Sequence, residues 1–273
     1  MLTAEWIIKQ FEEWAPAAYA EEWDNVGLLI GEATQPVRKV LVALDATEDV
    51  INEAVSGGYD FLISHHPLVY NPINRITSAD STGRKILTLA KNGIGCFAAH
   101  TNLDKAEGGV NDCLAGKIGL TKLTPLVPEL SPNGRDVPSH GIGRVGFLAE
   151  KMSAAAFAEH VKKALALTSL RFSGDTQKIV EKVGICGGDG SRYVENAIAQ
   201  NCDIYITGDL RYHIVQDALE SGIALLDITH YGGEIHVVPE IVSRLKNAAN
   251  GALEIFPSSI DGQVFTSIDF LRN

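Results

Sequence analysis

The sequence predicts an α/β protein made of two similar units, each a sheet laid down by alternating strands and helices. Three observations predict it. Short apolar runs alternate with segments of helical period along the chain. Residues 39–66 lie on residues 182–209 without a gap, and Lys39, Val40, Ala54, Asp60 and Ile63 meet identical residues there. The polar side chains that carry chemistry collect where the apolar runs end.

The elements follow in order. "KVLVALD" (39–45) reads as a buried strand, and "TEDVINEAVSGG" as a helix opened by Thr47 and stopped by Gly57. Strand 60–64, helix "STGRKILTLAKNG", strand 94–99 and helix "VNDCLAGKIG" come next. The second half resumes with "RVGFLAE", the alanine-rich helix "SAAAFAEHVKKALAL" and strand 182–187. Helix "RYVENAIAQ", strand 203–207, helix "YHIVQDALESG", strand 223–228 and helix "EIHVVPEIVSRLKNA" complete the pattern. "LEIFPSS" and "GQVFTSID" read as two closing strands. The stretch 124–141, rich in proline and glycine, is expected to link the two units.

Composition narrows the function classes. A net charge of -11 with a pI near 5.2 argues against nucleic acid as a partner, which needs a basic face. The four cysteines are scattered without a C-x-x-C, so no disulfide framework is expected, and Cys96 and Cys186 read as buried hydrophobes. The first residues lack the basic and apolar regions of a signal peptide, and no run suits a membrane span. A cytoplasmic protein without a membrane partner is expected.

In open α/β sheets, ligands sit at the carboxyl ends of the strands. That edge here carries Asp45, Ser64-His65-His66 and His100 to Asp104 in the first unit. In the second it carries Gly187-Gly188-Asp189, Thr207-Gly208-Asp209 and Thr229-His230, with Glu234 and His213 close behind. His140, His160 and His236 fall elsewhere and read as surface or structural residues. Imidazoles mixed with carboxylates suit Zn, Fe, Mn or Ni better than calcium, which prefers oxygen alone. A lone H-H pair reads more often as an exposed loop, "HTNLD" alone as a turn and "HYGGE" alone as a helix start; all three on one edge read as a metal site. Adjacent His65 and His66 should diverge, one toward each of two ions, because neighbours on a strand face opposite ways. "HYGGE" aligns His230 with Glu234 if a helix begins there. "CGGDGS" reads as a tight turn, with anion binding as the alternative.

These motifs together resemble one family, the Nif-three-like dinuclear metal proteins or GTP cyclohydrolase 1 type 2 family. "EEWDNVGLLIG", "LISHHPL", "AAHTNLD" with "GGVND", "GICGGDGS", "YITGDLRYH" and "DITHYGGE" carry the resemblance over nearly the whole chain. It implies two similar α/β domains with a dinuclear metal site in the cleft between them. By motif position the ligands fall on His65, His66, Asp104, His230 and Glu234, and His100 and His213 are proton-transfer candidates. The implied division is 1–123 with 235–273 for domain 1 and 124–234 for an inserted domain 2. The stretch from 120 to 180 is too short for the extra insert of larger members. A homo-hexamer and a small-molecule substrate, possibly GTP opened with loss of formate, are implied as well. A non-catalytic metal-binding, metal-delivery or interaction protein, or a hydrolase of another phosphoester or amide, remains the alternative.

Overall fold

The computed structural model describes residues 1–129 and 140–266. In chain order these form β1 (Leu2–Thr3), α1 (Ala4–Trp14), β2 (Gly27–Ile30), β3 (Pro36–Val37), β4 (Lys39–Ala43), α2 (Glu48–Ser56), β5 (Phe61–Ser64), α3 (Ser81–Lys91), β6 (Gly95–Ala98) and α4 (Thr101–Lys105). Then come α5 (Val110–Ile118), β7 (Thr121–Pro128), β8 (Gly141–Ser153), α6 (Ala154–Ala164), β9 (Arg171–Ser173), β10 (Ile179–Ile185), α7 (Val194–Ala199) and β11 (Ile204–Thr207). The chain closes with α8 (Tyr212–Glu220), β12 (Ala224–Asp227), α9 (His230–Glu234), α10 (Val237–Ala249) and β13 (Glu254–Pro257).

Two compact units result. One comprises Met1–Gly109 with Val237–Asp261, the other Val110–His236 with the segment from Gly262. The expected division at 123/124 differs from this, because α5 and β7 pack within the second unit. The expected linker 124–141 differs too. Its ends are strands β7 and β8, antiparallel neighbours in one sheet, and residues 130–139 lie outside the described residues. Pro125 and Pro128 sit on β7, an edge strand, where a missing N–H is tolerated. Of the two closing strands, β13 forms; for the other, residues 262–266 are irregular and 267–269 lie outside the described residues.

In the first unit the sheet order is β13-β4-β5-β6-β2, parallel except for β2. Every residue of β5 and β6 is buried, as a parallel strand covered on both faces requires. Leu41, Leu62 and Cys96 from the strands pack against Val50, Ile51 and Leu89 from α2 and α3. Thr47 accepts from Val50 N and caps α2, and Asp80 accepts from Gly83 N and caps α3.

In the second unit the order is β7-β8-β10-β11-β12-β9, with β10, β11 and β12 parallel and the rest antiparallel. One face packs Phe157 and Val161 of α6 on Val183, Ile185, Ile206 and Leu226. The other packs Ala197 of α7 and Ala218 of α8 on Tyr205 and Leu225. Cys96, Cys186 and Cys202 are buried and none of the four cysteines is joined in a disulfide; burial pushes the Cys96 thiol up to about 12. Among the described residues, no helix is long and apolar enough to cross a membrane.

One construction occurs in both units. Asp60 Oδ2 accepts from the amides of Arg38 and Lys39 at the entry to β4, and Lys39 Nζ donates to Gly57 O. Asp203 Oδ2 accepts from the amides of Glu181 and Lys182 on β10, and Lys182 Nζ donates to Gln200 O. Each aspartate satisfies two strand donors at once, worth about 1 kcal/mol apiece. Asp60→Ala and Asp203→Ala are each expected to lower unfolding free energy by roughly 1–3 kcal/mol, read from urea midpoints at constant slope.

Candidate metal centre

The parallel order sets the ends of β4, β5 and β6 side by side in the first unit. β5 stops at Ser64, whose Oγ donates to His66 O (2.7 Å), and two imidazoles follow at once. His65 is fully buried, and its Nδ1 lies 2.8 Å from Ala99 O, just past β6. His66 Nδ1 lies 2.7 Å from Asp45 Oδ1, just past β4. His100 Nδ1 lies 2.9 Å from Asp24 Oδ1, and Asn102 fixes the backbone there by accepting from His100 N and donating to Ala15 O. A carbonyl or carboxylate can only accept, so each ring donates through Nδ1, and in its neutral form such a ring keeps its lone pair on Nε2. That is the form in which imidazole binds a metal, with the other nitrogen anchored.

Ligand nitrogens of His65, His66 and His100 lie within 4.8 Å of one another. The rings of His65 and His66 have centroids 4.9 Å apart, and each lies 5.2–5.5 Å from His100. Alternation applies within a strand, and β5 has already ended; past its end the two rings take separate anchors, His65 Nδ1 on Ala99 O and His66 Nδ1 on Asp45 Oδ1. Asp104, on α4, brings Oδ1 to 3.5 Å from His65 Nε2.

Asp24 has a fully buried side chain. Burial pushes its pKa up, but hydrogen bonds from His100 and Thr101 outweigh this and bring it to about 2. It is the anchor that the sequence reading passed over; the signal was an aspartate inside "EEWDNVG", whose partner stands at His100. Asp45, noted only as a strand-end residue, anchors His66 in the same manner.

In the second unit, "HYGGE" forms α9, so His230 and Glu234 do align, with Nε2 and Oε2 3.2 Å apart. His230 Nδ1 lies 2.8 Å from Asp209 Oδ2. Asp209 thus anchors His230. His213 lies exposed in the first turn of α8, edge-on to Tyr212, and belongs to none of the donor clusters found among the described residues. Asp209 and Thr229 both have positive φ (53° and 65°), unusual for non-glycine residues and costly for β-branched Thr229. Buried Asp227 holds both turns by accepting from Leu210 N and Thr229 N, and it also pairs with Arg171.

The "CGGDGS" loop is a turn rather than an anion cradle. Gly187 N donates to Asn111 Oδ1, Gly190 N to Thr207 Oγ1 and Ser191 N to Asp189 Oδ1, so these amides are already spent. Its glycines serve proximity instead. A Cβ on Gly188 (φ +65°) would collide with Glu234 Oε1, and one on Gly208 would stand 2.7 Å from His230 N. His160, off the edge, has Nε2 2.9 Å from Ile118 O; His140 is buried, and burial lowers the pKa of His236, aided by Lys117.

The donor sets fit a divalent cation. With its proton on Nδ1, neutral His230 points a lone pair at a carboxylate oxygen of Glu234, and His65 does the same toward Asp104. Two electron-rich atoms facing each other at this range repel, unless a positive charge lies between or the ring takes a second proton. A divalent ion satisfies both atoms, and nitrogen with carboxylate donors suits Zn, Fe, Mn or Ni.

The fold and these donors define an α/β protein with histidine and carboxylate groups able to hold a metal ion. The chain belongs to the Duf34/NIF3 (NGG1p interacting factor 3) family, whose model matches residues 2–263. It is 36% identical over 252 residues to a "GTP cyclohydrolase 1 type 2 homolog" of Clostridium perfringens, covering 92% of this chain and 94% of that protein. A Streptococcus pneumoniae protein of the same name is 33% identical over 274 residues, covering 98% and 100%. The crystal structure of a Bacillus cereus protein related to NIF3 superposes with a TM-score of 0.91 at 27% identity, over 98% and 99% of the two chains.

Two outcomes are expected. Gly188→Ala should push the Glu234 carboxylate aside and weaken metal binding about 10-fold, read by titrating metal into the metal-free protein. For Asp24, a folded pKa near 2 against an ordinary 3.8 means its stabilisation is present above about pH 4 and is lost as pH falls through 2. Asp24→Asn should therefore cost roughly 2 kcal/mol at neutral pH and flatten the stability profile between pH 4 and 2, followed by urea unfolding of metal-free protein.

Proposed function

We propose that this chain is a hydrolase that uses two divalent metal ions, of the GTP cyclohydrolase 1 type 2 kind, opening the guanine imidazole ring of GTP with release of formate. The supporting observation is the repeated arrangement in which His65, His66, His100 and His230 each anchor Nδ1 on an acceptor and present Nε2. The name of the Clostridium perfringens and Streptococcus pneumoniae relatives supports the reaction class. His65, His66, Asp104, His230 and Glu234 would hold the ions. Ions bound there would supply Lewis acidity and make water a competent nucleophile near neutral pH.

The remaining work falls to side chains. Ala99, Asp45 and Asp209 fix the rings of His65, His66 and His230, so that no ligand rotates away. Asp24 holds the His100 proton at Nδ1, which makes His100 Nε2 the atom that takes and returns a proton as the ring opens. His213 is given no step, in view of its exposure. A gene duplication would account for the two units, a reading supported by the matched roles of Lys39 and Asp60 with Lys182 and Asp203. A cytoplasmic homo-hexamer is part of the same proposal, resting on the family resemblance.

A second reading, metal binding without turnover or hydrolysis of another phosphoester or amide, is favoured by one observation. The glycine-turn amides that could clasp a triphosphate are engaged internally, in a chain of net charge -11. Formate release from GTP by protein carrying its native metals separates the two readings. His65→Ala and His230→Ala are expected to lose metal and at least 100-fold in formate production together. Full metal occupancy without formate would establish the second reading, and an active metal-free variant would overturn the metal assignment.

A further inference from the structure

Beside the imidazole cluster of the first unit, two large aromatic rings stand open to solvent. Trp23 is 44% exposed and Tyr70 51%, whereas Phe11 and Phe61 are buried. The Trp23 ring lies 5.8 Å from Tyr70, tilted by 52°, and 6.2 Å from His100, edge-on at 71°. Both rings are held in place by their neighbours. Asp24, next to Trp23, is bound to His100 Nδ1 and Thr101 N. Asn25 Nδ2 donates to Val69 O (2.6 Å), directly before Tyr70. Three consecutive residues thus fix an aromatic corner against the imidazoles: one supplies the ring, one anchors His100, and one ties down the neighbouring loop.

We propose that Trp23 and Tyr70 form the binding surface for a flat nitrogen heterocycle of the purine class, stacked on Trp23 with an edge directed at His100. Exposed apolar rings held rigidly beside polar groups are what a stacking site requires: the ordering cost falls on the fold rather than on the binding event. Stacking also suits this chain's charge. A phosphate clasp works against a net charge of -11, whereas the face of a base meets an indole without needing positive charge. The proposal rests on the reading of the imidazole cluster as the reaction centre, and it supplies the ring recognition for which the sequence carries no motif.

The probe is guanosine, which lacks phosphate, titrated into the full-length protein with its native metals and followed by calorimetry and tryptophan quenching. Ribose serves as the ring-free control. Trp23→Ala and Tyr70→Ala are expected to weaken guanosine binding about 5- to 100-fold, the range set by base–aromatic stacking, with metal content unchanged. Trp23→Phe should retain most of the affinity, and where GTP is turned over the alanine variants should raise KM far more than they lower kcat. The proposal is overturned if the wild-type protein does not bind guanosine, if ribose binds equally well, or if Trp23→Ala leaves affinity unchanged. A Trp23→Ala protein whose oligomeric state changes while guanosine affinity holds would also overturn it, assigning the rings to a subunit contact. Because binding is read without turnover, a protein that releases no formate still decides the point, and the two readings fail separately.

Discussion

A neutral imidazole has only one N–H, and where that proton sits decides what the ring can do. In this protein His65, His66, His100 and His230 each spend the proton on a fixed acceptor through Nδ1, at 2.7–2.9 Å. The acceptors are Ala99 O, Asp45, Asp24 and Asp209, three of them charged, and hydrogen bonds to charged groups contribute about 1.5–3 kcal/mol each. Three of these acceptors stand just past strand ends, so they exist only when the sheets are in register. The buried strands β4, β5 and β6, closed by Leu41, Leu62 and Cys96, therefore do more than supply stability. They place Asp45, His65 and Ala99 at the ends of adjacent strands, where each ring finds its anchor.

Anchoring of this kind carries conformational costs, and the second unit displays them. Thr229 and Asp209 take positive φ, each a cost of order 1–3 kcal/mol. Asp227 offsets that cost with bonds to the amides of Leu210 and Thr229, and Thr229 Oγ1 accepts from Gly232 N within α9. Gly188 leaves room for the Glu234 carboxylate, and that glycine is the only residue type that adds no atom there. The strained and side-chain-free positions cluster around His230 and Glu234, where the chain exchanges local comfort for a defined donor geometry.

The acidic balance of the chain has a local meaning as well. Asp24, Asp45 and Asp209 stand behind imidazoles, and Asp104 and Glu234 stand before them. Carboxylates behind a ring raise its basicity toward a metal, and those in front add negative charge where a cation would sit. The excess of acid thus favours cations at the donor clusters while discouraging a broad contact with nucleic acid.

Much of this was legible in the sequence because it follows from local pattern. Apolar runs, Thr47 as a cap, and the helix at "HYGGE" are fixed by residues a few positions apart, and the strand-end histidines were visible as exceptions to apolar periodicity. What the sequence could not carry was any fact that joins distant residues. That Asp24 anchors His100, that Asp209 anchors His230, and that 124–141 leads from one strand of a sheet to its neighbour all depend on pairing across tens of residues. The separate anchors of His65 and His66 belong to the same class: Ala99 O and Asp45 Oδ1 come from the ends of other strands, far off in the chain. The sequence by itself determined which side chains were available and on which edge. The tertiary structure decided which nitrogen of each ring faces outward, because that choice is made by an acceptor far away in the chain.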